Sequence, residues 1–126
     1  MALKLSVITR ESGIVFAAAY GEATAGDFTT PDAVLFDSIL GPSWAQQRVA
    51  LDMDAVPYLD SSAIGWLIQV QKHFRDAGGC LVLHSVQPHV KNILSLLKVE
   101  RVVPMGRDSG AAKNLLTTSE TLEWAK

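Results

Sequence analysis

The amino-acid sequence predicts an α/β fold, a single mixed and mainly parallel β-sheet flanked by helices in the order β-β-α-β-α-β-α-β-α. Three observations carry this reading. The chain opens with two apolar, strand-like segments joined by a short polar turn. Beyond them, short apolar runs alternate with stretches of helical period, the pattern of a sheet built by crossover connections. And 48% hydrophobic against 19% charged residues, over a length of 126, supply one core and leave no room for a second. The expected organisation is one domain over residues 1–126, with its core in about 3–116 and a C-terminal tail over 117–126.

Leu3, Leu5 and Val7 alternate with Lys4 and Ser6, a period-two strand with one buried face. Arg10 to Gly13 reads as a turn, and the apolar run Ile14 to Tyr20 as a strand covered on both faces. A loop over Gly21 to Thr30 follows. Thr30-Pro31-Asp32 is a helix start, with Leu35, Phe36, Ile39 and Leu40 as its stripe and Gly41-Pro42 as its stop. Arg48 to Asp52 is the third strand. Asp60-Ser61-Ser62 precedes the next helix. Its stripe is Ile64, Leu67, Ile68 and Phe74, and Gly78-Gly79 ends it. Leu81 to Leu83 is a short buried strand. Pro88 opens a helix with Val90, Ile93, Leu94 and Leu97 on one face. Val102-Val103, closed by Pro104, reads as the last strand, and Ala111 to Leu116 as the last helix.

Composition excludes several classes of function. Eleven basic residues face thirteen acidic ones, for a net charge of −2, and no basic run marks a nucleic-acid surface. The longest apolar run, Ile14 to Tyr20, is far short of the ~20 residues of a membrane-spanning helix. Charged residues are scattered through an alternating N-terminus, which is not a secretory pattern. The expected location is cytoplasmic. A single cysteine, Cys80, excludes an internal disulfide.

Few residues suggest catalysis. Asp52-Met53-Asp54 ends a strand, where aspartyl-phosphate phosphatases place a nucleophile and an acid around Mg²⁺. The ends of the later strands offer Ser85-Val86 and Pro104-Met105 with no lysine or acid beside them, so two acids solvating a loop is the simpler reading. A response-regulator receiver would need an acidic pair after the first strand and a lysine after the last, and both are missing. His73, His84, His89 and Cys80 have no metal-ligand spacing. Phosphate-loop, dinucleotide and nucleophile-elbow motifs are absent. The expectation is a protein that is not an enzyme and has no metal and no cofactor.

The segment Tyr58-Leu59-Asp60-Ser61-Ser62-Ala63-Ile64-Gly65 remains. Asp and Ser before a periodic run are helix caps. A hydroxyl there is also exposed, next to free backbone N–H groups and the positive end of the helix dipole, where a phosphate is tolerated. The two roles are compatible. On the same helix, Trp66 falls with Ser62, Gln69 and His73 on a face beside the apolar stripe. That face is expected to be partly exposed. Two readings of Trp66 stay open: packing against an adjacent helix, or an anchor for a partner.

From Val49 through Gly65 the chain resembles the STAS domain family, specifically the bacterial anti-sigma-factor antagonists. Shared features are an apolar strand ending in Asp52, a short acidic loop and Asp60-Ser61-Ser62 before the helix. Ala77-Gly78-Gly79, the strand Leu81 to Leu83 and the helix opened by Pro88 match in order and spacing. The resemblance covers roughly Leu3 to Leu116. It implies a protein that binds an anti-sigma factor which is also a serine kinase. Phosphorylation at Ser61 would switch it off, and a separate serine phosphatase would reset it. Asp60, Ser62, Thr24 and Trp66 are the residues expected at the partner surface. Two departures stand out: Ala63 occupies a usual glycine position, and Thr24 replaces the usual aspartate of the Gly21-Glu22 loop. The alternative within the same family is a non-enzymatic adaptor in a stress-signalling scaffold or a lipid-transport complex.

Overall fold

The computed structural model describes residues 4–11, 13–20, 40–59 and 61–117. Its element order is β1 (Lys4–Glu11), β2 (Ile14–Tyr20), β3 (Arg48–Ala55), α1 (Ser61–Ala77), β4 (Cys80–His84), α2 (Pro88–Leu96), β5 (Met105–Gly106) and α3 (Ser109–Thr117). The five strands form one mixed sheet in the order β1-β2-β3-β4-β5. β1 runs antiparallel to β2, and every later pairing is parallel. The helix expected after Thr30 lies outside the described residues except for Leu40, which is buried. The tail from Thr118 lies outside them as well.

The opening hairpin is tighter than expected. Pairing continues to Glu11 opposite Ile14, and Gly13 takes the left-handed φ of +77° that the reversal needs. The register slips at Ile8, between the pairs Val7–Ala17 and Thr9–Phe16. This bulge on an edge strand breaks the simple alternation beyond Val7; before it Leu5 is buried and Val7 is exposed.

The sheet separates two apolar layers by its period of two. One face, built on residues such as Val15, Val49, Leu51 and Leu81, meets α1, α2 and the 3₁₀ turn Trp44–Gln46. The other carries Ile14, Phe16, Ala50, Cys80 and Val82 under Ala112 and Leu116 of α3. Two glycines set close approaches. A Cβ on Gly79 would lie 2.3 Å from the Ala45 carbonyl oxygen, and one on Gly106 would lie 2.8 Å from the Ala112 nitrogen. The first lets β4 start against the 3₁₀ turn, and the second lets α3 lie directly on β5.

The expected strand at Val102-Val103 is not one. The N–H groups of Val102 and Val103 both donate to the Val99 carbonyl. The pair therefore closes a 3₁₀ turn, Val99–Arg101, and Val103 is buried there as a core side chain. Pro104 starts the pairing rather than ending it: Leu83 N–H donates to its carbonyl at 3.0 Å. β5 is only two residues long, which leaves Leu81 without a strand partner on that side. The Gln71 side chain fills the gap. Its Nε2 donates to the Leu81 carbonyl at 2.8 Å and to the Val102 carbonyl at 3.2 Å, and its Oε1 accepts from Leu81 N–H at 3.0 Å.

The helical stripes are also redistributed. Ile68 is exposed, and the buried side of α1 runs through Ala63, Ile64, Leu67, Val70, Gln71 and Phe74. On α2 only Val90 and Leu94 face the core, while Ile93 and Leu97 are exposed. α2 is short and covers the sheet with a single i, i+4 pair, so the rest of its apolar residues have nothing beneath them.

Replacing Gln71 by Leu leaves both backbone groups of Leu81 unpaired in the core. The expected loss is about 3 kcal/mol in urea denaturation, whereas Ile68→Gln should change stability by less than about 0.5 kcal/mol. Burial pushes the Cys80 thiol up from 9.0 to about 11, against weaker downward pulls from Arg48 and the Gln71 side chain. As pH rises, the unfolded chain releases this proton first, so stability should fall between about pH 9 and about pH 11. Denaturation across that window should show a shallower fall for Cys80→Ala.

Candidate functional site

The site grows from the carboxyl end of β3. Val56 N–H donates to the Met53 carbonyl at 3.0 Å, turning the chain out of the sheet. Val56 and Leu59 are buried and pin the loop, which leaves Pro57 and Tyr58 exposed. Two residues at the start of α2 hold it from the side. Gln87 Nε2 donates to the Asp54 carbonyl at 2.7 Å, and His89 Nε2 pairs with the Pro57 carbonyl. The loop thus delivers the chain to the first residue of α1, Ser61, in a set position, with its side chain exposed.

Ser61 stands where the helix N–H groups are unpaired and the dipole is positive, and the first turn of α1 carries no acidic residue. From Ser61 an exposed stripe runs through Gly65, Ile68 and Lys72, spaced i, i+4, i+7 and i+11. Gly65 is the odd member. A Cβ at this position would meet nothing within 4 Å, and its φ is negative. A glycine inside a helix costs about 1 kcal/mol relative to alanine. No contact within the described fold requires one here.

Among the expected partner residues, Thr24 and Asp60 lie outside the described residues, and so does the side chain of Ser62. Ala63, in the usual glycine position of the motif, is fully buried. Trp66 requires a correction. It is 5% exposed and belongs to the main core, so it does not present the partly exposed ring that a partner anchor requires. Gln69 and His73, its neighbours on the expected face, are exposed. The Trp44 turn packs further along α1. There the Trp44 ring meets Phe74 edge-on at 5.0 Å and His73 at 5.9 Å. Sequence reasoning missed Gly65 and Ile68 as surface features. The signal for Gly65 was present: a glycine in mid-helix without a turn to explain it.

Asp52 and Asp54 do not form a paired-carboxylate centre. Asp52 Oδ1 accepts the Asp54 N–H at 2.8 Å, and Asp54 is exposed. His84 is buried and Cys80 is a buried free thiol. No helix among the described residues is long and apolar enough to cross a membrane.

The fold is thus a five-stranded mixed sheet with an exposed serine at a helix start, on a loop held by Gln87 and His89. The chain belongs to the STAS domain family, whose model matches residues 17–112. It is 27% identical over 74 residues to a Bordetella bronchiseptica protein named as an anti-sigma factor antagonist, BtrV; the match covers 59% of this chain and 64% of that relative's length. A Thermotoga maritima structure, also named for an anti-sigma factor antagonist, superposes with a TM-score of 0.73 at 20% identity, over 87% of this chain and 92% of that one. Bacillus SpoIIAA, solved in a phosphorylated form, superposes with a TM-score of 0.55 at 13% identity, over 90% of this chain and 98% of that one. Its unphosphorylated form gives a TM-score of 0.59 at 13% identity, over 86% and 90%.

Trp66→Ala should destabilise the fold by about 3–5 kcal/mol, the cost of removing a buried indole. Thermal and urea denaturation measure it. An unchanged midpoint would show that the ring carries no packing role.

Proposed function

We propose that this protein is an anti-sigma-factor antagonist: it binds an anti-sigma factor through the α1 stripe and is released by phosphorylation at Ser61. The observation that carries the proposal is Gly65. One turn from an exposed serine, it removes a side chain from the surface at a cost in helix stability that no contact among the described residues accounts for. A partner that must bring its backbone close to α1 does account for it. Ile68 and Tyr58, both exposed, supply apolar contact on either side in the sequence. The names of the relatives support the same reading.

The switch follows from position. A phosphate on Ser61 would sit at the amino end of α1 with N–H groups to receive it, so the fold itself tolerates the modification. The partner does not. About two negative charges and their hydration would then occupy the middle of a close, partly apolar contact. Asp60, Ser62 and Thr24 complete the proposed contact, while Trp66 supports it from below as part of the core. The kinase is the anti-sigma factor itself, and a separate serine phosphatase restores the binding form. This role calls for no catalysis by the chain itself and suits a protein acting in the cytoplasm.

Incubation with the cognate kinase and ATP should add one phosphate, and mass spectrometry should place it on Ser61. Ser61→Ala should bind the anti-sigma factor and resist release, while Ser61→Asp should bind at least about tenfold more weakly. A phosphate on Ser62 or Thr24 would overturn the assignment. Gly65→Ala separates surface from scaffold. It should raise stability by up to about 1 kcal/mol and weaken partner binding, and a variant that is more stable with unchanged affinity would remove α1 from the interface.

A further inference from the structure

On the face of the sheet opposite α1, a cleft of about 460 Å³ opens at the carboxyl ends of β3 and β4, beside the start of α3. Three features unused by the proposed switch meet there. Asp52 and His84 are register partners on adjacent strands, so their side chains stand next to each other on one face. Asp108 reaches the same cleft from the loop before α3, and its Oδ1 accepts the Ala111 N–H at 2.9 Å. Ser85, directly after β4, holds a left-handed φ of +57°, uncommon for a residue with a side chain.

His84 is only 5% exposed. Its Nδ1 lies 2.9 Å from Ser85 Oγ, and its Nε2 has no hydrogen-bond partner among the described residues. No fully buried side-chain nitrogen or oxygen among them lacks a partner, so Nε2 opens onto the cleft. The imidazole is therefore held from one side and offered on the other. Burial lowers its proton affinity, while the charges of Asp52 and Asp108 pull the other way.

Charge selects the ligand. Lys113, at the rim, is already paired with Glu11 at 3.2 Å. Among the described residues no cationic side chain pairs with Asp52 or Asp108. An anion would face both carboxylates. No group of three His, Cys, Asp or Glu side chains among the described residues is placed to hold a metal ion. Phe16 and Ile8 give the cleft an apolar wall.

We propose that this cleft binds a small organic cation, an ammonium or guanidinium group on a short apolar stem, with its N–H donors on Asp52 and Asp108 and its stem against Phe16 and Ile8. The buried His84 closes the inner end and must stay neutral for the cation to enter. Protonation of His84 would place a competing positive charge between the same carboxylates, with the Glu11–Lys113 pair at the rim contributing no net charge.

The test is an NMR titration of the full chain with n-butylammonium and n-butylguanidinium chloride, following the His84 ring and the Gly110 amide. Saturable shifts are expected, with a dissociation constant of about 1 mM or tighter. The affinity should hold through neutral pH and fall only below the ordinary histidine value of about 6.5, because burial of His84 lowers its proton affinity more than Asp52 and Asp108 raise it. Asp52→Asn with Asp108→Asn keeps both backbone hydrogen bonds, since asparagine caps as aspartate does, and should weaken binding at least about tenfold at the unchanged fold. Equal shifts with n-butanol, saturation by inorganic phosphate, or full affinity in the double variant would overturn the proposal. So would binding of N-acetylarginine amide without binding of either alkyl cation, which would assign the cleft to a protein interface. The readout is binding by the chain alone, so it does not depend on the fate of Ser61.

Discussion

The buried carboxamide of Gln71 is the interaction on which the rest of this structure depends. A strand of five residues, β4, has a neighbour of two, β5, and the N–H and C=O of Leu81 would otherwise stay unpaired in the core. Gln71 pairs with both and reaches the Val102 carbonyl as well. A helix side chain thus completes a sheet edge. It is 1% exposed, so these bonds are shielded from water and costly to leave unmade. Because the amide comes from α1, it also sets the rotation and height of that helix against the sheet.

The position of Ser61 follows from this. It lies ten residues before Gln71, roughly 15 Å along the axis. With Gln71 turned inward, a step of 100° per residue sends Leu67, Val70 and Phe74 toward the core. The same step sends Ser61, Gly65, Ile68 and Lys72 outward. The clamp from Gln87 and His89 to the loop fixes the other end. Ser61 is thereby held exposed on a support fixed at both ends.

The end of β3 serves both faces of the sheet. Alternation turns Met53 into the main core and Asp52 toward the opposite face, where His84 lies beside it. The chain then leaves the sheet and arrives at Ser61. One strand end therefore feeds the loop to the exposed Ser61 on one side and a polar cleft on the other, with the sheet between them. Open α/β sheets place ligands at the carboxyl ends of their strands for the same geometric reason: chain direction changes there and side chains become available.

The sequence by itself determined the class of fold and the place of the serine. The hairpin, the strands at Val49 and Leu81, the helix opened by Pro88 and the helix start at Ser61 are each written in local signals: period, caps and turn residues. Such signals act within one or two turns of chain, so they survive reading in isolation. Tertiary structure decided what covers what. Val102-Val103 is as β-prone as any strand, yet it closes a turn because Gln71, thirty-one residues away, occupies the sheet edge. Trp66 sits among polar neighbours on its helix, yet it is buried, in one core cluster with residues as distant as Leu5 and Val103. Ile68 matches the apolar stripe and is exposed, because the rotation set by Gln71 turns it away. Asp52 reads as a loop acid beside Asp54, and only the register with His84 brings it to a cleft. In each case the deciding contact comes from a distant part of the chain, and local periodicity carries no record of it.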